Sequence, residues 1–273
     1  PPRFILQSDS TQILYLFSTE GHCATIPVHQ LPQVNDPAEG TPYRDLCGFK
    51  NGEQIAAVLS LPPSESEGFL FFATTGGEVK RLRMDDLPGM MANTFKVMDV
   101  EAKDSLGWVT LTGGENEIVL TTFEGQAIRF RESDVRPTGL GAGGMRGIKL
   151  SSDKDRVIGM GIAQNELQLW TITDDGVAKS SPMSEYPTQG RAGSGVVTMK
   201  LPKESLGVTA SVIGKLDDTV IVLTNKNRPK PLQIKKTPNG RRDKRGDIVV
   251  SLANKEQVVA VVAEQKNANG TGS

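Results

Sequence analysis

The densest group of chemistry-bearing side chains in this 273-residue chain lies between positions 225 and 245. There Lys226, Arg228, Lys230, Lys235, Lys236, Arg241, Arg242, Lys244 and Arg245 face a single anion, Asp243. Sparser groups precede it. Lys80, Arg81 and Arg83 stand together, Arg129 and Arg131 flank Phe130, Arg136 and Arg146 bracket a glycine-rich stretch followed by Lys149, and Arg191 and Lys200 bracket another. Glycine lets backbone N–H groups approach an anion closely, and arginine adds a charge-assisted, often bidentate hydrogen bond. A single Arg-Gly loop is more often a solvated turn. Recurrence at corresponding places points instead to phosphate contacts spread over several loops.

The net charge is only −1, so any cationic surface is local. Residues 31–72 reverse the balance, with Asp36, Glu39, Asp45, Glu53, Glu65 and Glu67 against Arg44 and Lys50. Catalysis within this chain finds no support in its residues. His22 and His29 lack a triad context, no DxDxDG calcium loop occurs, and Asp174-Asp175-Gly176 reads as a turn. Cys23 and Cys47 form no CxxC pair, so they read as inert, reduced thiols of a cytoplasmic protein rather than as metal ligands. No apolar run approaches the ~18 residues of a membrane span. The opening Pro1-Pro2-Arg3 suggests a piece of a longer chain, and residues 266–273 read as a disordered tail.

The elements that position the cations repeat. An apolar strand, a tight turn ending at Gly21, Gly77, Gly125, Gly176 or Asn227, and a return strand recur five times, at intervals of about 50 residues. The third unit is the clearest. Residues 118–122 form a strand, Phe123-Glu124-Gly125 turns it, and residues 126–131 return with Ile128 and Phe130 inward and Arg129 and Arg131 outward. Five residues past each turn stand Ile26, Leu82, Phe130, Ser181 and Leu232, a buried register position. Each unit continues through a polar Gly/Pro-rich loop to further strands. The expected fold is all-β, a β-propeller (β-pinwheel) of five visible four-stranded blades, with a sixth incomplete or absent. The blades are expected over 8–62, 66–110, 115–163, 165–214 and 217–264, in one domain over 1–265. Residues 3–7 form an apolar stub able to complete a neighbouring blade. Trp108, Trp170 and Tyr186 read as core residues.

Residues 118–150, with Gln126-Ala127-Ile128-Arg129-Phe130-Arg131 and Gly143-Gly144-Met145-Arg146-Gly147-Ile148-Lys149-Leu150, resemble the C-terminal domain of the A subunit of DNA gyrase, and its topoisomerase IV counterpart. Residues 167–180 and 184–196 resemble the next blade of that domain, and the similarity runs over roughly 5–263. The resemblance implies a pinwheel whose rim binds and bends duplex DNA and presents it to the cleavage core of the same polypeptide. It also implies a partner B subunit that hydrolyses ATP, so ATP and Mg belong to other parts of the holoenzyme and this domain carries no cofactor. That family's first blade bears a Q-R-R-G-G-K-G heptad, which does not occur here. Gln189-Gly190-Arg191-Ala192-Gly193-Ser194-Gly195 is a degenerate relative in a later blade. The candidate DNA contacts are Arg81, Arg83, Arg129, Arg131, Arg136, Arg146, Lys149, Arg191, Lys200, Lys235, Lys236, Arg241, Arg242, Lys244 and Arg245. The alternative reading is a kelch- or WD-type protein-interaction propeller without DNA binding. Against it, the Gly-Gly doublets fall out of register and no Trp-Asp dipeptide occurs.

Overall fold

A computed structural model describes residues 3–63, 67–88 and 94–263. The expected tail at 266–273 lies outside them. The first unit supplies β1 (Ile13–Ser18), β2 (His22–Pro27), the short helix α1 (Tyr43–Leu46) and β3 (Ile55–Leu61). The second supplies β4 (Phe69–Thr74), β5 (Glu78–Arg83), β6 (Thr94–Lys96) and β7 (Leu106–Thr112). The third supplies β8 (Glu117–Thr122), β9 (Gln126–Arg131), β10 (Met145–Arg146) and β11 (Val157–Ala163). The fourth supplies β12 (Gln168–Thr173), β13 (Val177–Pro182), β14 (Val196–Val197) and β15 (Val208–Gly214). The fifth supplies β16 (Thr219–Thr224), β17 (Lys230–Gln233), β18 (Asp247–Ile248) and β19 (Val258–Ala263).

Each hairpin turns on a residue with positive φ: +81° at Gly21, +86° at Gly77, +81° at Gly125, +84° at Gly176 and +53° at Asn227. Only glycine takes that conformation without steric cost, and asparagine tolerates it better than most residues. The position five past the turn is buried at Ile26, Leu82, Phe130 and Ser181 and half-buried at Leu232.

The sheets run β3-β1-β2-β6, β10-β5-β4-β7, β11-β8-β9-β14, β15-β12-β13-β18 and β17-β16-β19. This is a five-bladed β-propeller, but its blades are not the contiguous units expected from the sequence. The short strands β6, β10, β14 and β18 leave their own units and pair with the hairpin of the preceding one. Four sheets therefore have four strands drawn from two units, and the fifth has three among the described residues. At the opposite edges β3 packs on β7, β7 on β11, β11 on β15 and β15 on β19. Among the described residues no comparable packing joins β19 to β3. The exchanged strands thus lie on the rim and the third-edge strands towards the axis.

Apolar side chains meet between blades. Phe17 and Phe72 join the first two sheets edge to face at 5.9 Å, and Phe71 and Phe130 join the next two at 6.3 Å. Val119, Leu169, Met183 and Tyr186 join the third and fourth, and Trp170, Ile172, Val220 and Val222 the fourth and fifth. Trp170 and Tyr186 are buried and Trp108 is half-buried, all in the core clusters as expected. Phe4 and Leu6, in the apolar stub, pack on the first blade beside Tyr43 and Leu46.

The fifth sheet ends differently. Its edge strand β17 carries Pro231 opposite Ile221, with Pro229 just before it. In the fourth sheet Ser180, opposite Trp170, donates its N–H outward to the Pro238 carbonyl and accepts from the Gly240 N–H. Proline has no N–H to offer there.

Candidate nucleic-acid interface

Strand exchange places each glycine-rich loop against the rim of the blade before it. The Asp99 N–H donates to the Ala142 carbonyl, Lys149 N–H to Gly193, Ala192 N–H to Gly147, and Lys200 N–H to Lys244 at 3.3 Å. Each loop ends in glycine where it enters its exchanged strand. A Cβ on Gly195 would stand 2.3 Å from the Ala127 carbonyl oxygen, and one on Gly246 2.4 Å from that of Ala178. Backbone contact this close admits no side chain.

These contacts connect the exposed cations of three units. Arg191 donates through Nε to the Asp134 carbonyl and through Nη1 to the Arg146 carbonyl, both at 3.0 Å. Arg242 donates through Nη1 to the Val197 carbonyl at 2.8 Å. Arg146 and Lys149 therefore adjoin Arg191, and Lys200 adjoins Arg242 and Lys244, with Arg241 and Arg245 on the same loop. Arg146, Lys149, Lys200, Arg241, Lys244 and Arg245 are exposed. Beneath them Glu78 is pushed up by burial and by the carboxylates of Glu101 and Asp104, with Arg146 opposing.

Other expected contacts lie elsewhere. Arg81 is 8 % exposed, so its expected solvent-facing role is corrected. Its guanidinium sits 4.4 Å from the Phe69 ring centroid, donates to the Gly114 carbonyl and lies 3.8 Å from Glu132. Arg129 is likewise turned between blades, paired with Glu117 and donating to the Met183 and Tyr186 carbonyls and the Asn165 side chain. Burial works to raise the Glu117 carboxyl, but hydrogen bonds from Thr188 and Arg129 outweigh it and hold it below the usual range. Arg83 pairs with Asp85 at 3.6 Å and Lys235 with Asp217 at 2.7 Å, both where the second hairpin strand leads into a 3₁₀ turn. Lys236 shares that turn, and Arg131 lines an open polar hollow with Glu115 and Ser133. Arg136 is exposed in the loop before β10.

Sequence reasoning missed two features. Residues 240–246 take the place on the fourth sheet that 189–195 take on the third, each ending in the glycine before an exchanged strand. Gly240-Arg241-Arg242-Asp243-Lys244-Arg245-Gly246 follows the order of the Q-R-R-G-G-K-G heptad in its Arg-Arg pair, its penultimate cation and its final glycine. The second is the buried pair Lys80 and Lys179, three residues past their turns. Burial brings both amines down to about 8. Their shared distance from the turn was the available signal.

Fold and loop geometry together define a strand-exchanged propeller with a cationic rim. Residues 116–164 and 169–213 match the family described as DNA gyrase C-terminal domain, beta-propeller. The chain is 30% identical over 266 residues to the A subunit of DNA gyrase from Dehalogenimonas lykanthroporepellens, covering 97% of this chain and 32% of that protein. It is 28% identical to the corresponding DNA gyrase protein of Klebsiella oxytoca over 94% of this chain and 29% of that one. It spans about a third of the length of these curated relatives. A solved C-terminal domain of DNA topoisomerase IV superposes with a TM-score of 0.84 at 23% identity, covering 92% of this chain and 79% of that one. A DNA gyrase A C-terminal domain does so with a TM-score of 0.80 at 20% identity, covering 95% and 85%. Over residues 116–164 and 169–213 the chain is thus similar to the DNA gyrase C-terminal domain family, and over most of its length to A subunits of DNA gyrase. No described helix is long and apolar enough to cross a membrane.

Proposed function

We propose that this propeller binds and bends duplex DNA along its rim and presents it to the cleavage core of a type IIA topoisomerase, as part of that enzyme's A subunit. The observation that carries the reading is the run from Arg146 and Lys149 through Arg191 and Lys200 to the Arg241–Arg245 loop, joined by backbone contacts between successive units. Phosphates are the targets such a run suits. Its cations sit on backbone-fixed loops along a curved edge. Bending 20–30 bp through 40–90° costs on the order of 1–6 kcal/mol, which several phosphate contacts offset. The active site, the ATP that drives supercoiling or decatenation, and the B subunit that hydrolyses it belong, on this reading, to other parts of the assembly.

Affinity for linear duplex across a salt series tests it. About five neutralised phosphates give a log–log slope near −4.5. Replacing Arg241, Arg242, Lys244 and Arg245 together by Gln makes that slope markedly shallower. Absence of retardation, or a flat salt response in the unaltered chain, overturns the reading. Ligation of nicked circles with saturating protein then separates chiral wrapping, which shifts linking number, from simple bending, which does not.

A further inference from the structure

Three residues past the hairpin turn, the second, fourth and fifth blades carry Lys80, Lys179 and Lys230, and the third carries Ile128. In two blades the amine is buried under the incoming loop of the next unit. Lys179 Nζ lies 2.6 Å from the Arg241 carbonyl, 2.7 Å from that of Arg242 and 3.4 Å from that of Thr198. Lys80 Nζ lies 2.7 Å from the carbonyls of Val97 and Gly139 and 3.0 Å from that of Ala142. Among the described residues neither amine has a carboxylate within ion-pair distance. An ammonium has three N–H donors, and each site offers it three carbonyls.

Loops 189–195 and 240–246 are both tied from outside by the third residue of each: Arg191 to the Asp134 and Arg146 carbonyls where Ile128 replaces lysine, and Arg242 to the Val197 carbonyl above Lys179. The lysine amine is therefore a second fastening, from inside, that the third blade lacks. At Lys230, where no described loop arrives, the amine turns to the Ser251 carbonyl. A buried cation with no carboxylate in direct contact is expensive, although Asp243 and Glu185 offset part of the cost for Lys179, so a methionine would serve packing alone better. The carbonyls that Lys179 gathers belong to Arg241 and Arg242, whose side chains, with those of Lys244 and Arg245, form the densest charge on the rim.

We propose that Lys179 is the positioning residue of the cationic loop 240–246, its buried amine fixing the backbone from which the four loop cations meet phosphate. Lys80 does the same for the loop 138–144. The inference rests on the DNA-binding reading for its functional consequence and on geometry alone for its structural one.

The test crosses Lys179→Met with the four-Gln loop variant, reading duplex affinity, salt slope and amide hydrogen exchange of residues 240–246. Lys179→Met is expected to weaken binding roughly tenfold and make the slope shallower by about 1–3, at about 0.9 for each phosphate no longer neutralised. In the four-Gln background it is expected to do nothing further, because it acts only through those cations. Loop exchange should accelerate in the free protein, and Lys80→Met should accelerate 138–144 while leaving 240–246 protected. Equal losses in both backgrounds mean a general structural role and overturn the proposal. So does unchanged loop exchange in Lys179→Met, a measurement that stands whether or not the chain binds DNA. If Lys179→Met does not fold, Lys179→Gln, which keeps one donor group, carries the same comparison.

Discussion

Removing Glu132 should unfasten the second blade from the third. Its side chain is fully buried, and its carboxylate accepts from Thr112 Oγ1 at 2.6 Å, the Gly114 N–H at 2.9 Å and the Asn116 N–H at 2.7 Å. Arg81 stands 3.8 Å away, itself buried over Phe69. The first residue of this 3₁₀ turn is apolar in three neighbouring units, where Met84, Met183 and Ile234 fill it, so Glu132 is there for what it holds. Glu132→Ala leaves a buried guanidinium and two N–H groups without their partner. Breaking one side of a buried pair costs about 3–5 kcal/mol. At roughly 2–4 °C per kcal/mol for a chain near this size, the melting midpoint should fall on the order of 10 °C, measured by circular dichroism or calorimetry. Adding Arg81→Met should restore part of that loss, since it removes the unpaired buried guanidinium but leaves the Gly114 and Asn116 N–H groups without their acceptor. A fall of less than about 2 °C, or no recovery in the double variant, refutes the reasoning.

Three further outcomes follow from the same geometry. Gly195→Ala forces φ of +71° on a residue whose Cβ meets the Ala127 carbonyl, and should cost about 1–3 kcal/mol in denaturant titration; an unchanged midpoint contradicts it. Tyr186→Phe removes the 2.6 Å hydrogen bond to Thr198 Oγ1 inside the third joint and should cost about 1 kcal/mol by the same titration. Burial brings Lys80 and Lys179 down to about 8 from 10.5, so between those values the unfolded chain binds more protons and stability rises with pH. Denaturant midpoints at pH 7.5 and 9.5 should show that rise in the unaltered chain and lose it in the Lys80→Met, Lys179→Met double variant.

The repeat and its turns were legible because they depend on local chemistry: the positive φ at Gly21, Gly77, Gly125, Gly176 and Asn227 leaves its mark on a single residue each. The exchanged strands were not. Met145–Arg146 and Val196–Val197 are two residues long, too short for a period-two pattern, and their partners lie in another unit. The same gap explains Arg81 and Arg129. Alternation correctly set them on the face opposite Leu82 and Phe130, but in a propeller that face meets the next blade rather than water. The Arg81 partner Glu132 lies in the next unit and becomes visible only once blades are packed, whereas Glu117 stands opposite Arg131 in the same hairpin as Arg129 and was within reach of the sequence. The rim loops were readable as cationic, whereas their junction into one run depended on contacts such as Arg242 with the Val197 carbonyl.

The two prolines of the β17 edge have a consequence for how molecules of this kind coexist. A sheet edge that has learned to accept a foreign strand invites copies to couple head to tail into fibres. At Pro229 and Pro231 the donors such coupling requires are missing, while the matching residues Ala178 and Ser180 keep them for use within the chain. The edge of the fifth blade is therefore poorly suited to the strand exchange that joins the other blades, within one molecule or between two.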